Sequence, residues 1–403
     1  MKKVFIFSTS ALILLGIVFI AYNFTFNGGE KKLLFSNSNN SSETKKDSSK
    51  RNDNAEDKQN PFGFKKDKKE NENVVGIVEK VSDKPVLFPK IEKDGVRIKY
   101  YSKKDEGFWE VSFDGSLEKK ISNENMPDLK AIIWSTDGKK IILKRGDGFY
   151  RYYYNNGQKN KIKDKANFMV WSNLGDKIIY DYIESPEAES KTINIANPDG
   201  SEWKVLAKVK NRKSVIAMVP QSSLISFWNV PKSTEESDLQ VISVAGGKVQ
   251  YILSGKFGAD YLWSPDGEKF LVSSVVNKGG DTMVLEVGKV DFDGESPKVS
   301  LMDLRLPTLA SKCVWSKDSK TIYCALLTGV PDNAVMPDDY YAGKFYTDDY
   351  FWKVNTETGK KERLVKLEDM KKMIDATDLF LSPNEDMLFF VNRKDGELYK
   401  INL

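Results

Sequence analysis

The chain has 403 residues, long enough for one large domain or two ordinary ones with a sizeable core. Lys and Arg number 62 against 58 Asp and Glu, so the formal charge is only +4; no strong basic field exists, and nucleic acid is not the default partner. Histidine is absent, which excludes Ser-His-Asp and Cys-His constellations and His-ligated zinc or haem, while carboxylate chemistry stays open.

Lys2 and Lys3 precede an apolar run from Val4 to Ala21. A helix of that length spans about 30 Å of hydrocarbon. The exit, Phe19-Ile20-Ala21-Tyr22-Asn23, is a poor cleavage site, and no cysteine follows for a lipid anchor. Residues 1–27 therefore read as an uncleaved transmembrane anchor with a cytoplasmic N-terminus, although Lys31 and Lys32 lie near its other end. Residues 28–73 turn polar and charged, with too few apolar residues to offset ordering entropy. They read as a flexible linker averaging about 35–40 Å end to end.

From residue 74 onward a motif recurs. It reads Trp134-Ser135-Thr136-Asp137-Gly138, Trp171-Ser172-Asn173-Leu174-Gly175, Trp263-Ser264-Pro265-Asp266-Gly267 and Trp315-Ser316-Lys317-Asp318-Ser319, each followed by an apolar strand. Weaker copies begin at Lys93, Val219 and Leu381. Asp bonds its own backbone, Gly supplies positive φ, and the Trp can cover the seam between neighbouring sheets. A second hairpin follows each first one, as in Phe108-Trp109-Glu110-Val111 before Asp114-Gly115 and Val287-Gly288-Lys289-Val290 before Asp293-Gly294. Two hairpins make a four-stranded antiparallel sheet, and seven such units form an all-β, seven-bladed β-propeller. The seventh unit ends after its third strand. Residues 74–81 are the one unassigned strand-like run and are expected to close the ring against residues 397–403. The domain therefore spans residues 74–403.

The Trp-Ser-Pro-Asp-Gly repeat resembles the TolB-type, WD-repeat-like propellers of bacterial envelopes, over about 330 residues. That resemblance implies the fold and an envelope setting. The family includes periplasmic partner-binding proteins and the propeller domains of prolyl oligopeptidase-like peptidases. This chain departs from the peptidases in lacking a hydrolase domain, histidine and a Gly-x-Ser-x-Gly elbow. It departs from TolB in its retained anchor.

Cys313 and Cys324 flank a hairpin turn. A disulfide and two buried free thiols both fit, with free thiols the simpler expectation. The sixth unit carries the longest insertion, between Leu327 and Trp352, which gathers Asp338, Asp339, Tyr340, Tyr341, Tyr346, Asp348, Asp349 and Tyr350. These side chains suit a peptide or sugar surface. They equally suit a thickened blade in which tyrosines fill space and aspartates cap turns. No calcium-loop pattern occurs, so no metal, cofactor or catalytic residue is assigned. Leu367–Ile374 has the spacing of one or two helical turns between the sixth and seventh blades. The combined expectation is an envelope-facing, membrane-anchored propeller that binds or scaffolds protein or peptide and is not an enzyme. A carbohydrate-binding or glycan-processing surface propeller is the alternative.

Overall fold

The computed structural model describes residues 77–403, apart from 93, 127, 139, 153–158, 163–164, 186, 211–212, 295 and 371. The expected anchor, the linker and the first residues of the closing strand lie outside the described residues. Among the described residues no helix is long and apolar enough to cross a membrane.

The chain enters on β1 (Val78–Lys80). The first blade is β2 (Leu87–Ile91), β3 (Arg97–Ser102), β4 (Gly107–Ser112) and β5 (Glu118–Ser122). The second is β6 (Leu129–Trp134), β7 (Ile141–Arg145), β8 (Gly148–Tyr152) and β9 (Lys159–Lys161). The third is β10 (Ala166–Trp171), β11 (Ile178–Tyr182), β12 (Ser190–Ala196) and β13 (Lys204–Lys210). The fourth is β14 (Ser214–Met218), β15 (Leu224–Asn229), β16 (Leu239–Ser243) and β17 (Gln250–Leu253). The fifth is β18 (Phe257–Trp263), β19 (Lys269–Val275), β20 (Met283–Asp291) and β21 (Lys298–Asp303). The sixth is β22 (Cys313–Trp315), β23 (Thr321–Leu326), β24 (Tyr350–Asn355) and β25 (Lys361–Arg363). The seventh is β26 (Ala376–Leu381), β27 (Met387–Asn392) and β28 (Leu398–Asn402), completed by β1. Every sheet is four-stranded and antiparallel, and the whole is a seven-bladed all-β propeller.

Apolarity falls from the second strand of each blade to the fourth. In β11 Ile178, Ile179 and Tyr180 are fully buried, whereas in β21 Lys298, Ser300 and Asp303 face solvent. The core lies in the seams between blades. Ile142 and Phe149 of the second blade pack with Trp171 and Tyr180 of the third. The repeat tryptophans sit in these seams. Trp134 Nε1 donates to the Phe88 carbonyl at 3.0 Å, Trp171 to Ile133 at 2.9 Å and Trp315 to Leu262 at 3.1 Å, each on the preceding blade. Trp263 Nε1 reaches Ser226 Oγ at 2.9 Å.

The expected closure is present. Val78 pairs with Ile401, Glu79 with Lys400 and Lys80 with Tyr399. Val81 and Val86 then pack with Ile98 and Val111 of the first blade and with Phe389 and Leu398 of the seventh. Cys313 and Cys324 lie directly opposite on β22 and β23, their Cα atoms 4.1 Å apart, and are joined in a disulfide. The expectation of free thiols is corrected by this register, which places them at the close spacing of an antiparallel pair. The expected helical turns shrink to one 3₁₀ turn, Leu367–Asp369, linking the sixth and seventh blades.

The first-hairpin turns do more than reverse the chain. Asp266 accepts from Ser264 Oγ and the Glu268 N–H, and Asp318 from the Lys320 and Thr321 N–H groups. Asp137 accepts from Ser135 Oγ at 2.6 Å. From the second blade to the seventh, each turn also grips the next blade's turn. Lys140 donates to Gly175 O at 2.9 Å, Asn173 to Val219 O at 2.8 Å and Gln221 to Pro265 O at 2.9 Å. Lys269 donates to Ser319 O at 3.0 Å, and Ser316 Oγ to the Glu385 carboxylate at 2.6 Å. A belt of hydrogen bonds thus runs from the second blade to the seventh along one end of the ring, the turn face.

This belt separates two glycines that look identical in sequence. Gly138 and Gly267 both have positive φ, 66° and 75°. A Cβ on Gly138 would meet nothing within 4 Å, while one on Gly267 would stand 2.3 Å from the Pro220 carbonyl oxygen. Gly138→Ala should cost about 1–2 kcal/mol from backbone strain alone. Gly267→Ala should cost clearly more, read as a lower denaturation midpoint at unchanged slope.

Candidate functional site

First-strand to second-strand turns and third-to-fourth turns share the turn face. The insertion joins β23 to β24, so it lies at the opposite end of the ring. It contains one short helical turn, α1 (Asp338–Tyr341).

Most of the candidate residues face inward. Tyr340 and Tyr341 are buried and Asp349 is fully so; Asp338, Asp339, Asp348 and Tyr350 are half-buried, and Tyr346 is exposed. Asp338 accepts from the Ser233 N–H of the fourth blade at 2.8 Å. Asp339 accepts from the Val335 N–H at 2.9 Å and pairs with Lys344 at 2.6 Å. Tyr341 donates to Asp260 of the fifth blade at 3.1 Å, and Tyr340 to Asp375 of the seventh at 2.7 Å. Asp348 pairs with Lys394. Tyr350 opens β24, with Arg363 5.9 Å from its ring.

At the centre lies Lys312, 1% exposed. Its ammonium donates to Asp349 at 2.5 Å, Asp375 at 2.7 Å and the Ala376 carbonyl at 3.0 Å. Arg393 stacks 4.5 Å from the Tyr340 ring and 5.1 Å from the Tyr346 ring, and donates to the Phe345 carbonyl at 3.2 Å. Burial alone would depress the Lys312 ammonium, but Asp349, Tyr340 and Asp375 outweigh it and hold it above the usual range. Burial would likewise raise Asp375, and Lys312 and Arg393 override it to keep that carboxyl low. Burial dominates at Asp349, which lies above the ordinary carboxylate range despite Lys312. Asp260 is pushed up to about 6 by burial, against hydrogen bonds from Trp228, the Tyr261 N–H and Tyr341.

Lys312, Asp375, Arg393 and Asp260 were not candidates in the sequence. Asp260 had a signal, a lone carboxylate inside the apolar strand Phe257–Trp263. Lys312 and Asp375 precede short strands and look like ordinary loop charges. Among the described residues no group of three or more His, Cys, Asp or Glu is placed to hold a metal ion. A groove of about 370 Å³ lies on the turn face, between Asp266 and Lys269 of the fifth blade and Asp318 and Lys320 of the sixth, away from the insertion.

The fold defines a seven-bladed β-propeller whose insertion is laced to its neighbours. No family model matches the chain, and no curated protein matches it. Solved structures do. An oligogalacturonate lyase in complex with manganese aligns at TM-score 0.57 and 12% identity, over 81% of this chain and 93% of that one. The β-propeller domain of Cps50 (Swd1) from Myceliophteria thermophila aligns at TM-score 0.54 and 10% identity, over 81% and 99%. A protein described as a TolB from Agrobacterium tumefaciens aligns at TM-score 0.40 and 15% identity, over 71% and 93%. The first two, at identities this low, establish the propeller fold and nothing finer.

Removing the central cation should be costly. Lys312→Met removes the ammonium that Asp349 and Asp375 share and leaves Asp349 buried without a cation, and a loss of about 3–5 kcal/mol is expected. Adding Asp349→Asn should restore part of it, measured by chemical denaturation. At Asp260 the folded state binds its proton more tightly than the unfolded chain does. Its favourable contribution is therefore complete below pH about 4 and is lost as pH rises through about 6. Asp260→Asn should stabilise the protein at pH 8 by up to about 3 kcal/mol, with the gain vanishing near pH 4 in thermal melts.

Proposed function

We propose that the chain is a membrane-tethered, extracytoplasmic propeller that binds a protein or peptide partner on its insertion face, as an adaptor or scaffold. The observation that carries this reading is the lacing of the insertion to four blades, through Ser233, Asp260, Lys312 and Asp375. A loop fixed in this way presents a preorganised surface, and its partner need not bear the cost of ordering it. Tyr346 and Val335 are the large apolar side chains it leaves outside.

Topology supports the orientation. β1 runs from the turn face toward the insertion face, since Val78 lies opposite Ile401 and Leu403 bonds Asp386 of a first-hairpin turn. A tether preceding Ile77 therefore leaves from the turn face and points the insertion away from its membrane. The Cys313–Cys324 disulfide supports an oxidising compartment. A carbohydrate-binding or glycan-processing propeller is the second reading. It draws on the exposed Tyr346 and the fold likeness to a lyase. Burial of Tyr340 and Tyr341, two of the four tyrosines that would stack on sugar, weighs against it.

A photo-reactive amino acid at position 346 of the full chain should trap a discrete protein adduct in cells, and one at Asp199 on the turn face should not. Tyr346→Ala should weaken that partner about tenfold. Adducts equal at both positions, or retention of glycan alone, would reject the reading.

A further inference from the structure

Among the described residues four aspartates are buried, and one of them differs from the rest. Asp181 pairs with Lys191 at 2.7 Å. Asp349 and Asp375 share the Lys312 ammonium, and Asp375 also faces Arg393 at 3.4 Å. Asp260 has no cation beside it among the described residues. Its partners are all neutral donors: the Trp228 indole N–H at 3.0 Å, the Tyr261 N–H at 3.0 Å and the Tyr341 hydroxyl at 3.1 Å.

The surrounding elements supply no counter-charge. The register of β18 shifts between Phe257 and Asp260, and Gly258 there has φ 59°. The insertion sits tightly on this irregularity, since a Cβ on Gly258 would stand 2.9 Å from Pro337 Cδ. Asp260 lies opposite Ser273 of β19 and against Tyr341 of α1, whose hydroxyl also meets Ser311 Oγ at 3.2 Å. The charged groups on these elements are committed elsewhere. Lys312, next to Ser311, binds Asp349 and Asp375. Asp338 and Asp339 of α1 hold the Ser233 N–H and Lys344. Asp238 and Glu286 act on Tyr261, and Glu286 is itself paired with Lys256.

An ionised carboxylate held by neutral donors alone is costly to bury, so its proton is hard to remove. Protonated, Asp260 donates to the Tyr341 oxygen and the Tyr341 hydroxyl turns to Ser311 Oγ, so each group keeps a partner. Two of the three donors to the ionised form are fixed. Trp228 packs in the core shared by the fourth and fifth blades, and the Tyr261 N–H belongs to β18 itself. Tyr341 belongs to a loop. That loop is the cover whose movement admits water to the carboxylate.

We infer that Asp260 is a proton-operated latch on the insertion: with its proton it seats the loop through Tyr341, and when it ionises the loop lifts more often and water reaches the charge. The sign follows from burial. The seated form binds this proton more tightly than the lifted form does, so seating is favoured in acid and weakens as pH rises through about 6. Asp349 also lies above the ordinary carboxylate range, but Lys312 stays beside it when it ionises. The functional consequence, a recognition surface better ordered in acid, rests on the binding reading above; the latch itself does not.

The test is amide hydrogen exchange on the full chain in detergent micelles, corrected for the intrinsic pH dependence of exchange. The N–H groups of Tyr341, Ala342 and Lys344 donate to the carbonyls of Pro337, Asp338 and Asp339 and report on seating. Their protection should fall about tenfold from about pH 5 to about pH 7 and then level off. Urea at about 0.5 M should leave their exchange unchanged, as a local opening requires. In Asp260→Asn the fall should disappear. In Asp349→Asn it should persist, and this second variant decides the matter where the first fails to fold. Equal protection at both pH values, a fall retained in Asp260→Asn or lost in Asp349→Asn, or exchange as sensitive to urea as that of β7 would overturn the latch. The photo-adduct at position 346 is scored separately. Its absence beside a tenfold fall sinks the binding reading and leaves the latch standing, and its presence beside flat protection does the reverse.

Discussion

The pairing of Val78–Lys80 with Leu398–Asn402 is the constraint on which the rest depends. A blade buries its faces only against its neighbours, so an open ring would expose the inner surfaces at two ends. Closure brings together Ile98 and Val111 of the first blade with Phe389 and Leu398 of the seventh, all fully buried. Joining residues more than 300 positions apart costs entropy that grows only with the logarithm of the separation. One three-residue strand, the Ser82 hydroxyl on the Leu398 N–H and the Val86 N–H on Gly396 are enough to hold it.

Within the closed ring the repeat motif has two physical roles, and the sequence displayed one of them. Trp, Asp and Gly at fixed spacing announce a hairpin, and the structure places Trp134, Trp171, Trp263 and Trp315 in the seams as that spacing implies. The belt from Lys140 to Gly175, Asn173 to Val219 and Lys269 to Ser319 was not legible. Its donors vary among Lys, Asn, Gln and Ser, and all but one of its acceptors are backbone carbonyls, which carry no sequence identity. Gly267 shows the same limit, since its need for no Cβ comes from Pro220 on another blade. Local chemistry can be read along a chain. Contacts between blades require the ring first.

The insertion was legible as an anomaly and less so as a mechanism. Its length and its density of Asp and Tyr set it apart, but the same residues describe a ligand surface and a buried strut. What separates the two is the location of the partners, and these lie far off in the chain. Lys312 precedes a strand of the sixth blade, Asp375 precedes the seventh blade and Asp260 is inside the fifth. Lys312 and Asp375 were ordinary charges until the fold brought them under α1, and Asp260 was marked only by standing alone in an apolar strand. An aspartate whose partner is a buried ammonium is tied to structure, while Tyr346, a few positions away, remains available. The favourable energy of the cluster is modest, since burying ions is itself expensive. Its consequence is specificity: one arrangement of the loop satisfies these charges.

The two ends of the ring consequently differ in kind. At the insertion end polar groups are drawn inward and neutralised, so rigidity is bought with buried ion pairs. At the turn end the polar groups serve the hairpins and the belt, as the Glu268 N–H does on Asp266, the Lys320 N–H on Asp318 and Lys269 on the Ser319 carbonyl. Exposed apolar side chains occur at both ends, Leu174 and Trp203 at the turn end and Val276, Leu367 and Met373 at the other, so what distinguishes the ends is the use made of their polar groups. At one end these groups satisfy backbone locally and between adjacent turns; at the other they reach across blades and fix a long insertion.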